Sequence, residues 1–294
     1  MHQTPFSVLT EQLRDFCSLH RQEEKQIAFY GGTFTGLKEH QRNEYFRLAE
    51  PFLDELTSLR ISTRPDYLGR EELDWCKAHR IRTIEIGVQD FSDKVLRASG
   101  RGYDAQTAIA ACQRVSEQGF ELGIQLLPGL PGFNHASFRE SAESLRRLRL
   151  RYLRLYPLVV LKGTPIWEMY EQGEYTPLTL EEAISICADY HELADEQGFL
   201  VIKTGIPPLE PGIAHAGPYH PAFGELVRGE LLVRKLTASY KGEQILRLAS
   251  SDLSVFTGHN GYNRKKLMKR LETCTIRIEP DAALAKGEFR LESA

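Results

Sequence analysis

The sequence predicts an α/β protein: a partial (βα) barrel followed by a small α+β appendage. Three observations predict it. From Pro5 to about Gly205, helical and strand patterns alternate without a break. The helical stretches between strands are long enough to impose parallel pairing with right-handed crossovers. Beyond that point the chain turns rich in proline and glycine and loses a clear period. The expected division is residues 1–205 for the barrel portion and 206–294 for the appendage.

Each element has a local reason. Thr4-Pro5 fits a cap followed by proline at the first helical position, and Phe6, Leu9, Leu13 and Phe16 recur at helical spacing. The apolar run in QIAFYGG reads as a strand ending in glycines. A helix is expected over about 41–56, then the strand SLRISTRP, a helix over 71–79 and the strand RTIEIGVQD. Asp104 can cap a helix over 105–118, which Gly119 ends. ELGIQLLPGLPG is a strand running into a loop. Ser137 with Glu140 suggests a capping box for the helix through Arg147. YLRLYPLVV is a strand, and Thr179 with Glu182 makes a second capping box for a helix to about Gln197. Gly198 stops that helix and FLVIKTGI is the last strand of the series. The chain opens on a helix where a βα barrel opens on a strand, so a barrel missing its first strand is expected.

Composition narrows the function classes. The chain has 294 residues, 41% of them hydrophobic, ample for a substantial core. A net charge of −3 argues against a general nucleic-acid binder but leaves a local basic patch open. No apolar run approaches the ~18 residues of a membrane span. The N-terminus shows no basic segment followed by an apolar one, so no membrane partner and a cytoplasmic location are expected. The five cysteines, Cys17, Cys76, Cys112, Cys187 and Cys274, form no CxxC or CxxxC spacing. Scattered and odd in number, they fit neither a disulfide scaffold nor a local metal motif, and no metal ligand is expected among them.

In parallel βα architectures the working residues collect at the carboxyl ends of strands. Here those ends carry Gly31-Gly32-Thr33, Ser62-Thr63-Arg64-Pro65, Gln89-Asp90, Gln125 with the PGLPG loop, and Tyr156-Pro157. Paired glycines permit close backbone approach by a ligand, or simply make a turn. Ser62, Arg64, Gln89 and Gln125 are polar groups beside apolar strands. Their partners are either a ligand, with a carboxylate suiting Arg64 or Arg101 and a ribose hydroxyl suiting a glutamine amide, or one another in a bracing network.

YGGTFTG, ISTRPDYL, IGVQDFSDKVLRASGRG, GIQLLPGLPG and LRLYPLVVLKGTPIWEMYEQGEY occur in order at barrel spacing. Together they resemble the radical S-adenosylmethionine (radical SAM) superfamily, in the branch of the Elongator catalytic subunit and oxygen-independent coproporphyrinogen oxidase. The resemblance covers about residues 5–205. It implies that Gly31, Gly32 and Thr33 stand where a GGE-type motif holds the SAM amine, with threonine in place of glutamate. Gln89 matches a ribose contact and Arg101 the arginine that holds the SAM carboxylate. Gln125 stands where that branch places an aspartate on the ribose. Leu127 and Tyr156-Pro157 match the adenine cradle. Arg64 is characteristic of the Elongator-like branch, either beside SAM or structural.

The resemblance also implies a [4Fe-4S] cluster, an electron donor, and reductive cleavage of SAM to a 5′-deoxyadenosyl radical that acts on a substrate the sequence does not identify. The cluster's CxxxCxxC segment is absent from this sequence. Two readings follow: a shortened enzyme with a stretch of about 50 residues upstream of Met1, or a cluster-free SAM-pocket scaffold or binding protein. A third class, a barrel enzyme for phosphates or sugars, lacks the paired carboxylates expected of it.

In the last third, His215, His220, His259 and Asn260 show no metal spacing, and HPAFGE and GHNGYNRKK resemble recurring features of the branch. LLVRKLT, a helical run around 263–271 and the strand TIRIEP complete the appendage. Arg264, Lys265, Lys266, Lys269 and Arg270 form either an RNA-phosphate contact or a solvated helix face. No acetyltransferase-like glycine-rich motif follows.

Overall fold

The computed structural model describes residues 5–239, 244–258, 261–272 and 277–293. His259, Asn260 and Cys274, considered above, lie outside the described residues, as does Thr4. The chain divides into two compact units, residues 1–155 with 197–202, and 156–196 with 203–294. This division falls at 155/156, ahead of the 205/206 boundary that composition suggests.

The first unit is a parallel half-barrel sheet with its helices. Strands β1 (Lys25–Phe29), β2 (Thr57–Thr63), β3 (Ile81–Gln89), β4 (Glu121–Leu126) and β5 (Leu150–Leu155) pair in parallel. The strand Leu200–Thr204 completes the order beside β5. The helices are α1 (Phe6–Leu19), α2 (Glu39–Ala49), α3 (Arg70–Ala78), α4 (Asp93–Ala98), α5 (Ala105–Glu117) and α6 (His135–Arg147). This is the expected partial barrel.

The strands have two unlike faces. Every second residue, Leu59 and Ile61, Ile84, Ile86 and Val88, Leu122, Ile124 and Leu126, Leu153 and Leu155, is buried. Helix residues such as Leu73, Cys76, Leu96, Ala111, Cys112, Val115 and Leu145 are buried as well. The intervening residues are Gln26, Arg60, Ser62, Thr83, Glu85, Gln125, Tyr152 and Arg154. A parallel sheet covered on both faces reads as continuous apolar runs. This one is apolar on the helix side only.

Three boundaries differ from expectation, each for a local reason. Helix α2 stops at Ala49, not near 56, and a single 3-10 turn over 50–52 follows. Pro51 accounts for it, because proline offers no N–H to continue the helical ladder. The cap of α6 is Asn134 rather than Ser137: its side chain accepts from the Ala136 and Ser137 N–H groups at 2.8 and 3.2 Å. Ser137 instead sits at the third helical position and accepts from the Asn134 N–H at 2.9 Å. Helix α4 was not anticipated; at six residues it is too short for periodicity to declare it. Asp104 does cap α5, accepting from the Thr107 N–H at 2.8 Å.

The second unit is α+β. It holds β6 (Val160–Leu161), α7 (Pro165–Glu171), most of α8 (Leu180–Gln197) and then, past β7 (the strand Leu200–Thr204), β8 (Ala214–Ala216), which pairs antiparallel with β6. The Thr179–Glu182 box caps α8 as expected, the Glu182 N–H reaching the Thr179 hydroxyl at 3.2 Å. Then come α9 (Phe223–Ser239), β9 (Gln244–Ala249), α10 (Leu253–Thr257), α11 (Tyr262–Arg270), β10 (Arg277–Asp281) and β11 (Phe289–Ser293). The last three strands form a sheet in the order β10-β9-β11. Leu232, Val233 and Leu236 of α9 pack with Leu246, Leu248, Phe256 and Leu267 into a core of their own. LLVRKLT therefore lies inside a helix.

Among the described residues no helix is long and apolar enough to cross a membrane.

Candidate functional site

The carboxyl ends of β1 to β4 hold the site, as the architecture demands. Two groups of residues gather there, and a third lies along the sheet.

The first is the turn after β1. Gly31 has φ of +103°, a region that glycine enters without penalty. A Cβ built on Gly31 or Gly32 would meet nothing within 4 Å. No packed neighbour therefore demands glycine at 32, and the bare backbone faces open space that a ligand can approach. Gly31, Gly32 and Thr33 line a cleft of about 650 Å³ together with Leu9, Leu13 and Phe16 of α1 and Tyr45 and Leu48 of α2.

The second group sits at the ends of β2 and β3. Gln89 has φ of +73°, and the Asp90 N–H closes a tight turn over it onto the Val88 carbonyl at 2.9 Å. A non-glycine residue held there stores strain, which the surroundings must impose. They do: the Gln89 carbonyl accepts from the Leu127 N–H at 2.8 Å, fastening the loop after β4. Gly87 leaves the room, since a Cβ there would lie 2.6 Å from Gln89 Nε2. The Gln89 Oε1 is buried with no hydrogen-bond partner. So is the Nε of Arg101, and burial pulls the Arg101 pKa down. An acceptor and a cationic donor, both desolvated and unmatched, are what a ligand with hydroxyl and carboxylate groups would satisfy.

Arg64 is engaged differently. It meets Asp66 through Nε and Nη2 at 2.9 and 2.8 Å, and Nη2 also donates to the Arg101 carbonyl at 2.8 Å. The Asp66 hydrogen bonds raise its pKa above the usual arginine value.

The third group lies on the polar face of the sheet, and the sequence reading missed most of it. Glu85 is 1% exposed. Its carboxylate takes hydrogen bonds from Arg60 Nη1, from Arg154 Nε at 3.0 Å, from the Tyr30 hydroxyl at 2.9 Å and from the Gln125 amide at 2.8 Å. Burial works against its ionisation, but the Gln125 amide, Arg154, Arg60 and Tyr30 outweigh it and hold the carboxyl below its ordinary pKa. Burial pushes Tyr30 up to about 12, so the phenol keeps its proton. Gln125, matched above to a ribose contact, spends its amide on Glu85 and on Ser62 Oγ at 3.2 Å.

Leu127 joins the second group through its backbone. Tyr156 and Pro157 begin the second unit directly after β5.

Asp90 is buried beneath Gln89. It accepts from the Ser92 N–H at 2.7 Å and the Ser141 hydroxyl at 3.1 Å. Burial outweighs these bonds and pushes its carboxyl up to about 6. The folded chain therefore favours protonated Asp90. The stability this contributes is complete below the unfolded pKa near 4 and is lost as pH rises through 6. Denaturation of wild type and Asp90→Asn between pH 4 and 7 should show wild type falling relative to the variant across that window. A constant difference would refute the assignment.

The described cysteines do not fit an iron–sulfur cluster. Cys17 is half-buried in α1, and Cys76, Cys112 and Cys187 are buried in helices. Burial raises the last three thiols, Cys76 to about 12, so they stay protonated and are poor ligands. Among the described residues no group of three His, Cys, Asp or Glu side chains could hold a metal ion. The glycine turn lines an open cleft, and Gln89 and Arg101 carry buried polar atoms of the kind that ribose hydroxyl and carboxylate groups would satisfy.

The chain is similar to known proteins in sequence and in fold. The sequence profile of the Radical SAM superfamily matches residues 3–145, and that of the Radical_SAM C-terminal domain matches residues 150–232. An uncharacterised Methanocaldococcus jannaschii protein, MJ0486, is 34% identical over 171 residues, which are 56% of this chain and 52% of that protein. The tRNA uridine(34) acetyltransferase of the same organism is 33% identical over 133 residues, 44% of this chain and 24% of that enzyme. The chain thus spans about half the length of the first relative and a quarter of the second. In fold it is similar to an N-terminally deleted Elp3 from Methanocaldococcus infernus, with a TM-score of 0.66, 20% identity, and coverage of 79% of this chain and 59% of that one. It is also similar to coproporphyrinogen III oxidase (HemN) from Escherichia coli, with a TM-score of 0.50, 21% identity, and coverage of 65% and 45%.

Proposed function

Since this chain belongs to the radical SAM superfamily, we propose that the carboxyl-end site binds S-adenosylmethionine and serves a radical reaction of that family. The observation that carries the proposal is the pair of buried, unmatched atoms, Gln89 Oε1 and Arg101 Nε, at the strand end.

Each residue has a part. Gly31 and Gly32 offer backbone groups to the amine end, with Thr33 beside them. Arg101 takes the carboxylate, where a guanidinium gives charge-assisted, planar hydrogen bonds. Gln89 meets a ribose hydroxyl, and Leu127 lies on the adenine side. Gln125 stands behind, through Glu85. When bound, SAM would supply the sulfonium–carbon bond, whose reductive cleavage takes one electron from a donor that the described residues do not include. The family's [4Fe-4S] cluster finds no ligands among the described residues, and the chain's own contribution is to bind and orient SAM and keep water from it.

RNA is the substrate class suggested by relatives named as tRNA uridine(34) acetyltransferases. The basic cluster supports this only in part. Lys266 and Arg270 pair with the buried Glu230 of α9 at 2.6 and 2.9 Å. Arg264, Lys265 and Lys269 remain exposed on α11 for phosphate contact.

Titration calorimetry tests the SAM reading. Wild type should bind SAM saturably. Arg101→Ala should lose about 1.5–3 kcal/mol, roughly 10- to 150-fold in affinity. Wild type that binds no SAM would end the proposal, as would an Arg101→Ala variant that binds equally well.

A further inference from the structure

Arg64 sits between two aromatic rings and across two loops. Its guanidinium carbon lies 5.7 Å from the Tyr67 ring centroid and 5.4 Å from that of Tyr103. Asp66 grips it in a two-point fork. From that fixed position Nη2 reaches the carbonyl of Arg101. The Arg101 N–H meanwhile donates to the Leu96 carbonyl at 3.0 Å. The peptide groups on both sides of the Arg101 Cα are therefore pinned, one by α4 and one by Arg64.

Tyr103 extends the brace to Gln89. Its hydroxyl lies 2.9 Å from the Gly87 carbonyl and 3.1 Å from that of Val88, on the strand end immediately before Gln89. One stacked arginine thus ties the backbone of Arg101 to a tyrosine that is itself fastened to the strand end carrying Gln89. Gln89 and Arg101 each carry a buried polar atom without a partner. Two cationic residues are brought together here, and the Asp66 carboxylate is committed to Arg64. Arg101 is left as the one that must find its anion elsewhere.

We propose that Arg64 is a positioning residue: it makes no ligand contact, and sets Arg101 against Gln89 so that the amino-acid carboxylate of an S-adenosyl ligand is read. The inference rests on the SAM reading above and assigns Arg64 a role within it. It has a specific signature, because only the carboxylate end of the ligand depends on the alignment. Arginine is required for this role. Lysine keeps the charge but has neither the planar fork for Asp66 nor the face for the two rings.

The full chain is titrated with S-adenosylmethionine, S-adenosylhomocysteine and 5′-methylthioadenosine, the last having the nucleoside but no amino-acid end. Arg64→Lys and Arg64→Met should each weaken the first two by about tenfold. Binding of 5′-methylthioadenosine should change by less than about twofold. On an Arg101→Met background the Arg64 substitution should add little, the mark of two residues acting in series. Thermal melting monitors folding, and where Arg64→Met does not fold, Arg64→Lys provides the reading.

Equal losses for all three ligands would reduce Arg64 to a structural brace and overturn the inference. So would unchanged SAM affinity in both Arg64 variants while Arg101→Ala binds weakly, an outcome that leaves the SAM reading standing. Absence of SAM binding in wild type overturns both together.

Discussion

Glu85→Ala is expected to destabilise the chain by about 3–5 kcal/mol, read as a fall in the urea midpoint with an unchanged denaturant slope. The reason lies in what the carboxylate neutralises. Arg60 is 6% exposed and Arg154 half-buried, and both converge on Glu85. Removing the carboxylate leaves two guanidinium groups without it, and takes one hydrogen-bond partner each from the Tyr30 hydroxyl and the Gln125 amide. Glu85→Gln keeps an acceptor and should lose less, which separates the charge from the hydrogen bonds. Gly123 belongs to the same arrangement. A Cβ there would lie 2.6 Å from Glu85 Cγ and 3.4 Å from its Cα, so the glycine makes the room the carboxylate occupies. A loss under about 1 kcal/mol for Glu85→Ala would show that water replaces the carboxylate without difficulty.

Gly229→Ala reverses the usual sign of its substitution type. Alanine inside an exposed helix ordinarily gains about 1 kcal/mol over glycine. At this point of α9 the new Cβ would fall 2.1 Å from Asn263 Nδ2 and 2.9 Å from its Cγ. Asn263 is 4% exposed, and its amide donates to the Val255 carbonyl at 2.7 Å. To admit the methyl group, Asn263 must abandon that bond or α11 must shift. Overpacking and an unsatisfied buried amide cost about 1–3 kcal/mol each. A net loss of about 2–4 kcal/mol is expected, seen as a lowered Tm. Gly229→Ala combined with Asn263→Ala should recover part of it. A double variant no better than the sum of the singles would remove Asn263 from the explanation.

The same asparagine shows what the sequence could and could not convey. Asn263 stands in GHNGYNRKK, a segment recognisable as a motif but without an assignable task. The structure gives this residue a packing task between α9 and the end of α10. HPAFGE resolves similarly: the His220 ring accepts the Ala222 N–H at 3.0 Å, at the entrance to α9. Neither contact has a local signature, because each depends on which helices meet. The βα alternation and the Asp104 and Thr179 caps, by contrast, were legible because they are decided within a few residues. At α6 the Ser137–Glu140 pair matches a capping box, yet the helix starts earlier, at His135, and Asn134 caps it.

The site was half legible. Its strand-end residues could be named from position and resemblance. Glu85 could not, because its partners come from four other places, Tyr30, Arg60, Gln125 and Arg154, brought together by strand register. A signal was nevertheless present. RISTR, IEIGVQ and YLRLY alternate polar with apolar residues, a habit foreign to doubly covered parallel strands. That alternation marks one face as polar before any partner is known.

Two-facedness also separates the demands on neighbouring residues. Ile61 answers to the packing of helices, and Ser62, the next residue, to whatever meets the polar side. Along β2 to β5 the chain thus keeps two ledgers interleaved at every second position. One can be rewritten for new chemistry while the other holds the scaffold unchanged. A sheet so divided can change what it binds without first relearning how to fold.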